Sequence, residues 1–235
     1  MIIKKDLQIA IDGPVSSGTS TLSLALARKL NFLFIYTGAM YRAAAYLYIT
    51  AKNKGSILSE PELVQLVKSR KITLKKPSKP RRYCDVYLDG KDITSHLFSP
   101  EVNRVVPEIS KISKLRKHFV SLQRQLAKNK AVIMEGRDIT TVVLPNADLK
   151  IFLTADLNTR VKRRWIQAKQ SGQKISLDDI KAQIIKRDTL DTTRKNSPLT
   201  KAEDAWLIDS TNLVIDQTVQ LVIDKLIKLK LINKT

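Results

Sequence analysis

The chain has 235 residues, enough for one α/β domain with a sizeable core, and its 43% hydrophobic content excludes a disordered chain. Lysine and arginine total 42 against 22 acids, a formal net charge of +20. The lysines are spread along the chain, so the excess reads as solvated surface, not as a nucleic-acid-binding stripe.

No run approaches the ~20 apolar residues of a membrane span. The single cysteine, Cys84, excludes an intrachain disulfide and a cysteine-based zinc cluster. Charge follows Met1 too early for a secretory signal, and a cytoplasmic protein is expected.

Residues 7–11 form a short apolar run with the length and β-branched content of a buried strand. A loop with two glycines follows: Gly13, Pro14, Val15, Ser16, Ser17, Gly18, Thr19, Ser20, Thr21. From Thr21 a helix is expected. Strand, Gly-x-x-x-x-Gly loop and helix together wrap backbone N–H groups around phosphates, and the helix dipole adds positive potential there. The usual pattern has lysine and then Ser or Thr after the second glycine. Ser20 meets the second requirement, but the lysine place holds Thr19.

A second strand is expected at 32–35, then a helix over 39–51 with Arg42 near its start, at the sheet edge where open α/β sheets bind ligands. Residues 52–104 are punctuated by Gly55, Pro61, Pro77 and Pro80. Short strands at 71–75 and 85–88, with an Asp89-Gly90 turn, predict a small antiparallel insert. The basic knot at 75–76 and 79–82 reads as a solvated hairpin tip.

From Pro107 the apolar steps Ile109, Ile112, Leu115, Phe119, Leu122 and Leu126 predict one long helix to about residue 129, with Arg116 beside the stripe. A buried strand at 131–134 runs into Glu135-Gly136-Arg137-Asp138, charged groups that are costly to place idly at a strand end. The next strand is 149–153. Residues 154–194 carry Arg160, Arg163, Arg164, Arg187 and Arg194. Ser176 and Asp179 form a capping box opening a helix over 177–189, which makes a helical hairpin joined at 171–173. A last strand is expected at 206–208, and Asp216 is expected to cap a closing helix. Five short apolar strands alternating with helices predict a doubly wound parallel sheet.

Guanidinium groups bind phosphate bidentately and stay charged at working pH. A phosphate loop with several dispersed arginines implies two phosphorylated ligands and phosphoryl transfer, where catalysis is positioning plus charge neutralisation. In that reading Ser20 holds Mg²⁺ and Glu135 orients a metal-bound water.

From about Gln8 to Thr211 the chain resembles the bacterial cytidylate kinases. The resemblance rests on Ile-Asp-Gly-Pro at 11–14, Thr-Gly-Ala-Met-Tyr-Arg at 37–42 and Gly-Arg-Asp at 136–138. Thr-Val-Val-Leu-Pro at 141–145, Arg-Asp-x-x-Asp-x-x-Arg at 187–194 and Leu-Ile-Asp-Ser-Thr at 207–211 complete it. It implies the α/β P-loop nucleotide-kinase fold, a five-stranded parallel sheet with helices on both faces. The core would be 1–58, 105–154 and 195–235, the monophosphate-binding insert 59–104 and the helical lid 155–194.

It also implies ATP and Mg²⁺ as cofactors and CMP or dCMP as substrate. The phosphate loop 13–21 would bind ATP. Arg42, Arg137 and Arg194 match arginines that bind the CMP phosphate, and Asp191, with Arg187 nearby, matches the acid that reads the ribose. Asp138 and Arg116 match residues reading the cytosine edge, and Thr37 matches a pocket serine. Arg160 and Arg164 of the lid, with Arg137 and Asp138, are the catalytic candidates.

Two residues depart from the family: Thr19, and Pro107 where bacterial members commonly carry a serine that contacts cytosine. Asn103 or Ser110 is then expected to supply the missing polar group. We expect a monomer with no membrane and no specific nucleic-acid partner. A catalytically impaired relative that binds RNA, or another phosphorylated small molecule, is the alternative. It has no need of the intact Gly-Arg-Asp and Arg-Asp-x-x-Asp-x-x-Arg groups.

Overall fold

A computed structural model describes residues 4–79, 82–170 and 172–233. Pro80 and Arg81 of the basic knot, Ser171 of the hairpin joint, and Met1 to Ile3 lie outside the described residues. The chain forms two compact units, one of residues 1–34 with 127–235 and one of residues 35–126.

The first unit is built around β1 (Gln8–Asp12), whose residues Ile9 to Asp12 have no exposed surface. It lies between β6 (Val132–Gly136) and β7 (Leu149–Thr154), both parallel to it, with β8 (Trp206–Asp209) parallel to β7. With β2 (Leu33–Tyr36) the sheet order is β2-β6-β1-β7-β8, a five-stranded sheet. Burial on both faces explains why β1 and β6 read as apolar runs without alternation.

Helix α1 (Thr19–Leu30) and α8 (Ile215–Lys228) contribute Leu22, Leu26, Val219, Val222, Ile223 and Leu226 to the core shared with Ile9, Ile11 and Ile151. Asp216 does not cap α8. The cap is Val214, whose N–H donates to Gln217 Oε1 at 3.0 Å, while Asp216 lies in the first turn and complements the dipole there. Helices α6 (Leu157–Gln170) and α7 (Leu177–Thr193) pair through their own small core of Val161, Ala168, Ile180 and Ile184. The Ser176 Oγ accepts the Asp179 N–H at 3.0 Å, the expected start of α7.

The second unit contains α2 (Gly38–Asn53), α3 (Glu60–Lys68), and a three-stranded antiparallel sheet of β3 (Ile72–Lys75), β4 (Asp85–Leu88) and β5 (Lys91–Asp92). Asp89 and Gly90 join β4 to β5 with φ of 50° and 85°. That pair of positive φ values fits a two-residue I′-type turn and is why Asp-Gly is favoured there.

The long helix expected from Pro107 is instead two, α4 (Pro100–Ile109) and α5 (Ser113–Ala127). Pro100, behind the N-cap Ser99, holds the helix start, and Pro107 lies near the end. A proline removes one helical N–H, and after it the chain tightens. Lys111 N–H donates to Glu108 O at 3.0 Å and Ile112 N–H to Ile109 O at 3.2 Å, and the Ser110 hydroxyl donates to Pro107 O at 2.8 Å. The apolar stripe itself is real, with Ile109, Ile112, Leu115 and Phe119 all in one core.

Candidate active site

The loop after β1 is shaped by close approach. A Cβ on Gly13 would lie 2.1 Å from the Leu153 carbonyl oxygen, so only glycine fits. Ser16 and Gly18 have φ of 62° and 102°, left-handed values that turn the chain into α1. The first turn of α1 carries no acid, so its orphan N–H groups have no built-in anion. The Ser17 Oγ is buried and has no hydrogen-bond partner among the described residues. Thr19 is buried with its methyl 3.0 Å from where a Gly13 Cβ would stand, so its side chain is turned toward the strand–loop junction. Ser20 is half-buried and Thr21 exposed.

The arginine hairpin reaches this loop. Arg160 Nη1 donates to the Val15 carbonyl at 3.1 Å and to Asp188 Oδ2, and its Nε donates to Ala155 O at 3.1 Å. Arg163 donates to Ser17 O at 3.1 Å, to Ser210 Oγ at 3.0 Å and to Ser210 O at 2.7 Å. Burial lowers the Arg163 guanidinium below the ordinary arginine value, against the opposing pull of Asp156 and Asp209. Residues three apart share a helix face. Thus Arg160 and Arg163 both address the loop backbone, while Arg164 donates to Gln167 Oε1 at 2.8 Å.

A second cluster gathers beyond β6. Asp191, buried on α7, accepts from Arg137 Nε at 3.1 Å and from Arg187 Nε at 3.0 Å, with Arg194 Nη1 at 3.8 Å. Burial pushes the Asp191 carboxyl up, but Arg137, Arg187 and Arg194 together outweigh it and hold the group below its ordinary value. Arg194 Nη2 is 3.9 Å from Asp138 Oδ1, and its Nε donates to Ser197 O at 2.6 Å. Three guanidinium groups thus converge on the Asp191 carboxylate, with Asp138 beside Arg194. Glu135, the fourth residue of β6, is buried.

The turn carrying Arg137 and Asp138 is fixed from β1. Asp12 accepts the Ile139 N–H at 2.9 Å, and the Thr140 N–H and hydroxyl at 2.7 and 2.6 Å, at the start of a π-helical turn (Ile139–Val143). Such turns recur at functional sites. Burial pushes the Asp12 carboxyl up to about 6, against the lowering effect of the Thr140 and Ile139 donors, and the Asp138 charge adds to the rise.

In the second unit, Thr37 is the buried N-cap residue of α2. Arg42 donates to Leu97 O at 2.9 Å and to Asn103 Oδ1 at 2.6 Å, with the Phe98 ring 4.8 Å from its guanidinium carbon. Asn103 is engaged at both ends, since its amide nitrogen donates to Phe98 O at 3.1 Å. Of the two candidates to replace a serine at position 107, Asn103 therefore supports Arg42, and the Ser110 hydroxyl bonds to Pro107. Arg116 is buried, donates to Ser110 O at 3.0 Å and stands 5.5 Å from the Tyr41 ring centre.

The sequence reading did not single out Asp12, Asp188 or Ser210, nor include Arg163 among the catalytic candidates. All three stand in the motifs at 11–14, 187–194 and 207–211, with Asp12 and Ser210 at strand ends, and that position is the available signal. Among the described residues no cluster of three or more His, Cys, Asp or Glu side chains could hold a metal ion, and no helix is long and apolar enough to cross a membrane.

Comparison with known proteins gives the same direction. The chain is 44% identical over 220 residues to a cytidylate kinase of Caldicellulosiruptor bescii, covering 94% of this chain and 95% of that protein. It is 43% identical over 217 residues to a cytidylate kinase of Desulfitobacterium hafniense, covering 92% and 91%. A crystal structure of an uncharacterized protein from Eubacterium ventriosum aligns with a TM-score of 0.50 at 14% identity, over 93% of this chain and 97% of that one, a likeness of fold alone. The family model described as cytidylate kinase matches residues 9–228, and with these relatives it shows that the chain belongs to the cytidylate kinase family.

Proposed function

We propose that this protein transfers the γ-phosphoryl group of ATP to CMP or dCMP, giving ADP and CDP or dCDP, as a monomer in the cytoplasm. The observation that carries this reading is the Asp191 hub, three arginines on one buried carboxylate in the unit that also carries the phosphate loop. A protein that only bound RNA would have no use for so enclosed a cationic cluster, because phosphates along a strand are met by exposed side chains.

The loop fits a nucleotide triphosphate: its orphan Ser17 hydroxyl is buried in it, and the uncapped N–H groups of α1 open onto it. Mg²⁺, when bound, would supply charge neutralisation for the transferring phosphoryl group, and the Ser20 hydroxyl is the group that would hold it. In the first unit, Arg137 and Arg194 bind the CMP phosphate, Asp191 with Arg187 reads the ribose, and Asp138 accepts from the cytosine amino group. In the second unit, Arg42 binds the phosphate, Arg116 reads the base edge and Thr37 lines its pocket. Arg160 and Arg164 of the lid stabilise charge on the moving phosphoryl group.

ADP formation from ATP and Mg²⁺, followed with and without CMP or dCMP, tests the reading. CMP-dependent ADP formation without added RNA supports it. No turnover on any monophosphate, with tight RNA binding at physiological salt, overturns it.

A further inference from the structure

Asp188 belongs to none of the substrate contacts assigned above, yet it is built into the phosphate loop from α7. Its two oxygens have separate partners: Oδ1 accepts the Val15 N–H at 3.0 Å, and Oδ2 accepts from Arg160. Arg160 returns to the same loop residue by donating to the Val15 carbonyl at 3.1 Å. The Val15 side chain packs on the small core of the α6–α7 hairpin, against the cluster of Val161, Ile180 and Ile184. One residue at the tip of the loop therefore has its N–H, its carbonyl and its side chain all engaged by the hairpin. The two charged groups are mostly enclosed, with 11% of the Arg160 side chain exposed and 20% of Asp188.

We propose that Asp188 is a positioning residue for phosphoryl transfer: it fastens the tip of the phosphate loop to the arginine hairpin and sets the Arg160 guanidinium beside the loop. The proposal rests on the phosphate-loop reading above.

Enclosure gives the ion pair its value, since an exposed pair contributes little whereas a pair kept from water loses heavily when one partner is removed. Arg160 alone has five donors and can take many carbonyls. What selects the Val15 carbonyl is the carboxylate beside it, which simultaneously takes the Val15 N–H. The Val15 N–H is thus taken by the carboxylate, which fixes the loop tip on the hairpin and leaves an incoming anion to the uncapped N–H groups of α1.

Two substitutions separate the two oxygens. Asp188→Asn is isosteric and keeps one carbonyl oxygen to accept the Val15 N–H, but its NH₂ group cannot accept from Arg160 and removes the charge. Asp188→Ala removes both contacts. The test combines hydrogen exchange at the Val15 amide of the nucleotide-free protein with steady-state kinetics in ATP and in CMP.

The expected result is a fall in kcat of about tenfold or more in both variants, on the scale of losing part of one preorganised donor, with KM for CMP unchanged. Val15 exchange should stay slow in Asp188→Asn and become faster in Asp188→Ala. A purely structural ion pair would lower stability and leave kcat of the folded fraction alone. Wild-type kcat in Asp188→Asn, or unaltered Val15 exchange in Asp188→Ala, overturns the proposal. If Asp188→Ala does not fold, the kcat of Asp188→Asn decides alone. An inactive wild-type protein would count against the phosphoryl-transfer reading, and Val15 exchange would still test the fastening.

Discussion

Asp12 and Thr140 are 128 residues apart in sequence and joined by two hydrogen bonds, in which one Asp12 oxygen accepts both the Thr140 N–H and its hydroxyl. A third donor, the Ile139 N–H, reaches the other oxygen at 2.9 Å. The end of the central strand thereby holds the turn that carries Arg137 and Asp138.

This anchor makes stability depend on pH in a defined direction. Burial raises the Asp12 carboxyl from 3.8 to about 6 in the folded protein. Between those values the folded state keeps a proton that the unfolded chain releases, so stability falls as pH rises. The contribution is fully present below about pH 4 and lost by about pH 6, at most about 3 kcal/mol for a shift of this size. Asp12→Asn removes the titration. Urea unfolding across this window should show the wild-type minus variant difference declining as pH rises. A difference that is flat or rising would mean Asp12 does not titrate there.

Removing the charge of Asp191 should be worse than neutral. Asp191→Asn leaves Arg137, Arg187 and Arg194 crowded without their shared anion. Breaking a buried ion pair on one side costs about 3 to 5 kcal/mol. The variant should be destabilised by that order in urea and regain more stability than wild type on adding inorganic phosphate, which restores an anion to the cluster. Equal phosphate stabilisation of both proteins would show that the cluster does not take the anion.

Some of this architecture is legible in the chain for physical reasons. Asp89-Gly90 announces its hairpin because few residue pairs accept two positive φ values. Strands β1 and β6 stand out because burial on both faces demands unbroken apolar runs. The break between α4 and α5 does not stand out, since Ile109, Ile112 and Leu115 keep helical spacing straight across it and both helices bury the same stripe. Asp188 stands in the Arg-Asp-x-x-Asp-x-x-Arg motif, but its partner does not show: Val15 lies 173 residues away, and a backbone N–H leaves no mark in sequence. Spacing also leaves Arg163 and Arg164 equivalent as face-mates of Arg160. The fold resolves them, with Arg163 on the loop carbonyl and Arg164 on Gln167.

Base preference follows from chemistry at Asp138. A carboxylate accepts from the cytosine amino group, whereas uracil presents a carbonyl there. A buried carboxylate facing that carbonyl costs about 1 to 3 kcal/mol, which is roughly a factor of 5 to 150 in kcat/KM. CMP and dCMP should therefore outcompete UMP by that range. Equal kcat/KM for CMP and UMP would show that Asp138 does not read the base, or that Pro107 has relaxed the site.

The last expectation concerns Thr19. A lysine in that place would bring a cation to the β- and γ-phosphates, and one neutral hydroxyl cannot replace it. Here Thr19 is buried with its methyl turned toward Gly13, while two guanidinium groups arrive from α6 to the loop carbonyls of Val15 and Ser17. The expectation is that the hairpin arginines stand in for that cation when ATP is bound, with Arg160 ion-paired to Asp188 before ATP arrives. Losing one preorganised donor typically costs about 10²- to 10³-fold in turnover. Arg160→Ala and Arg163→Ala should each lose kcat on that scale, more than they weaken ATP binding. Arg164→Ala should also lower kcat, since Arg164 lies one turn from Arg160 on the same helix face. Thr19→Lys should bring no gain in kcat, since this buried position leaves scant room for the longer chain beside Gly13. Steady-state kinetics on the four variants decide the matter. A gain of about a hundredfold in Thr19→Lys would mean that the loop is simply short of a cation and that the arginines do not compensate.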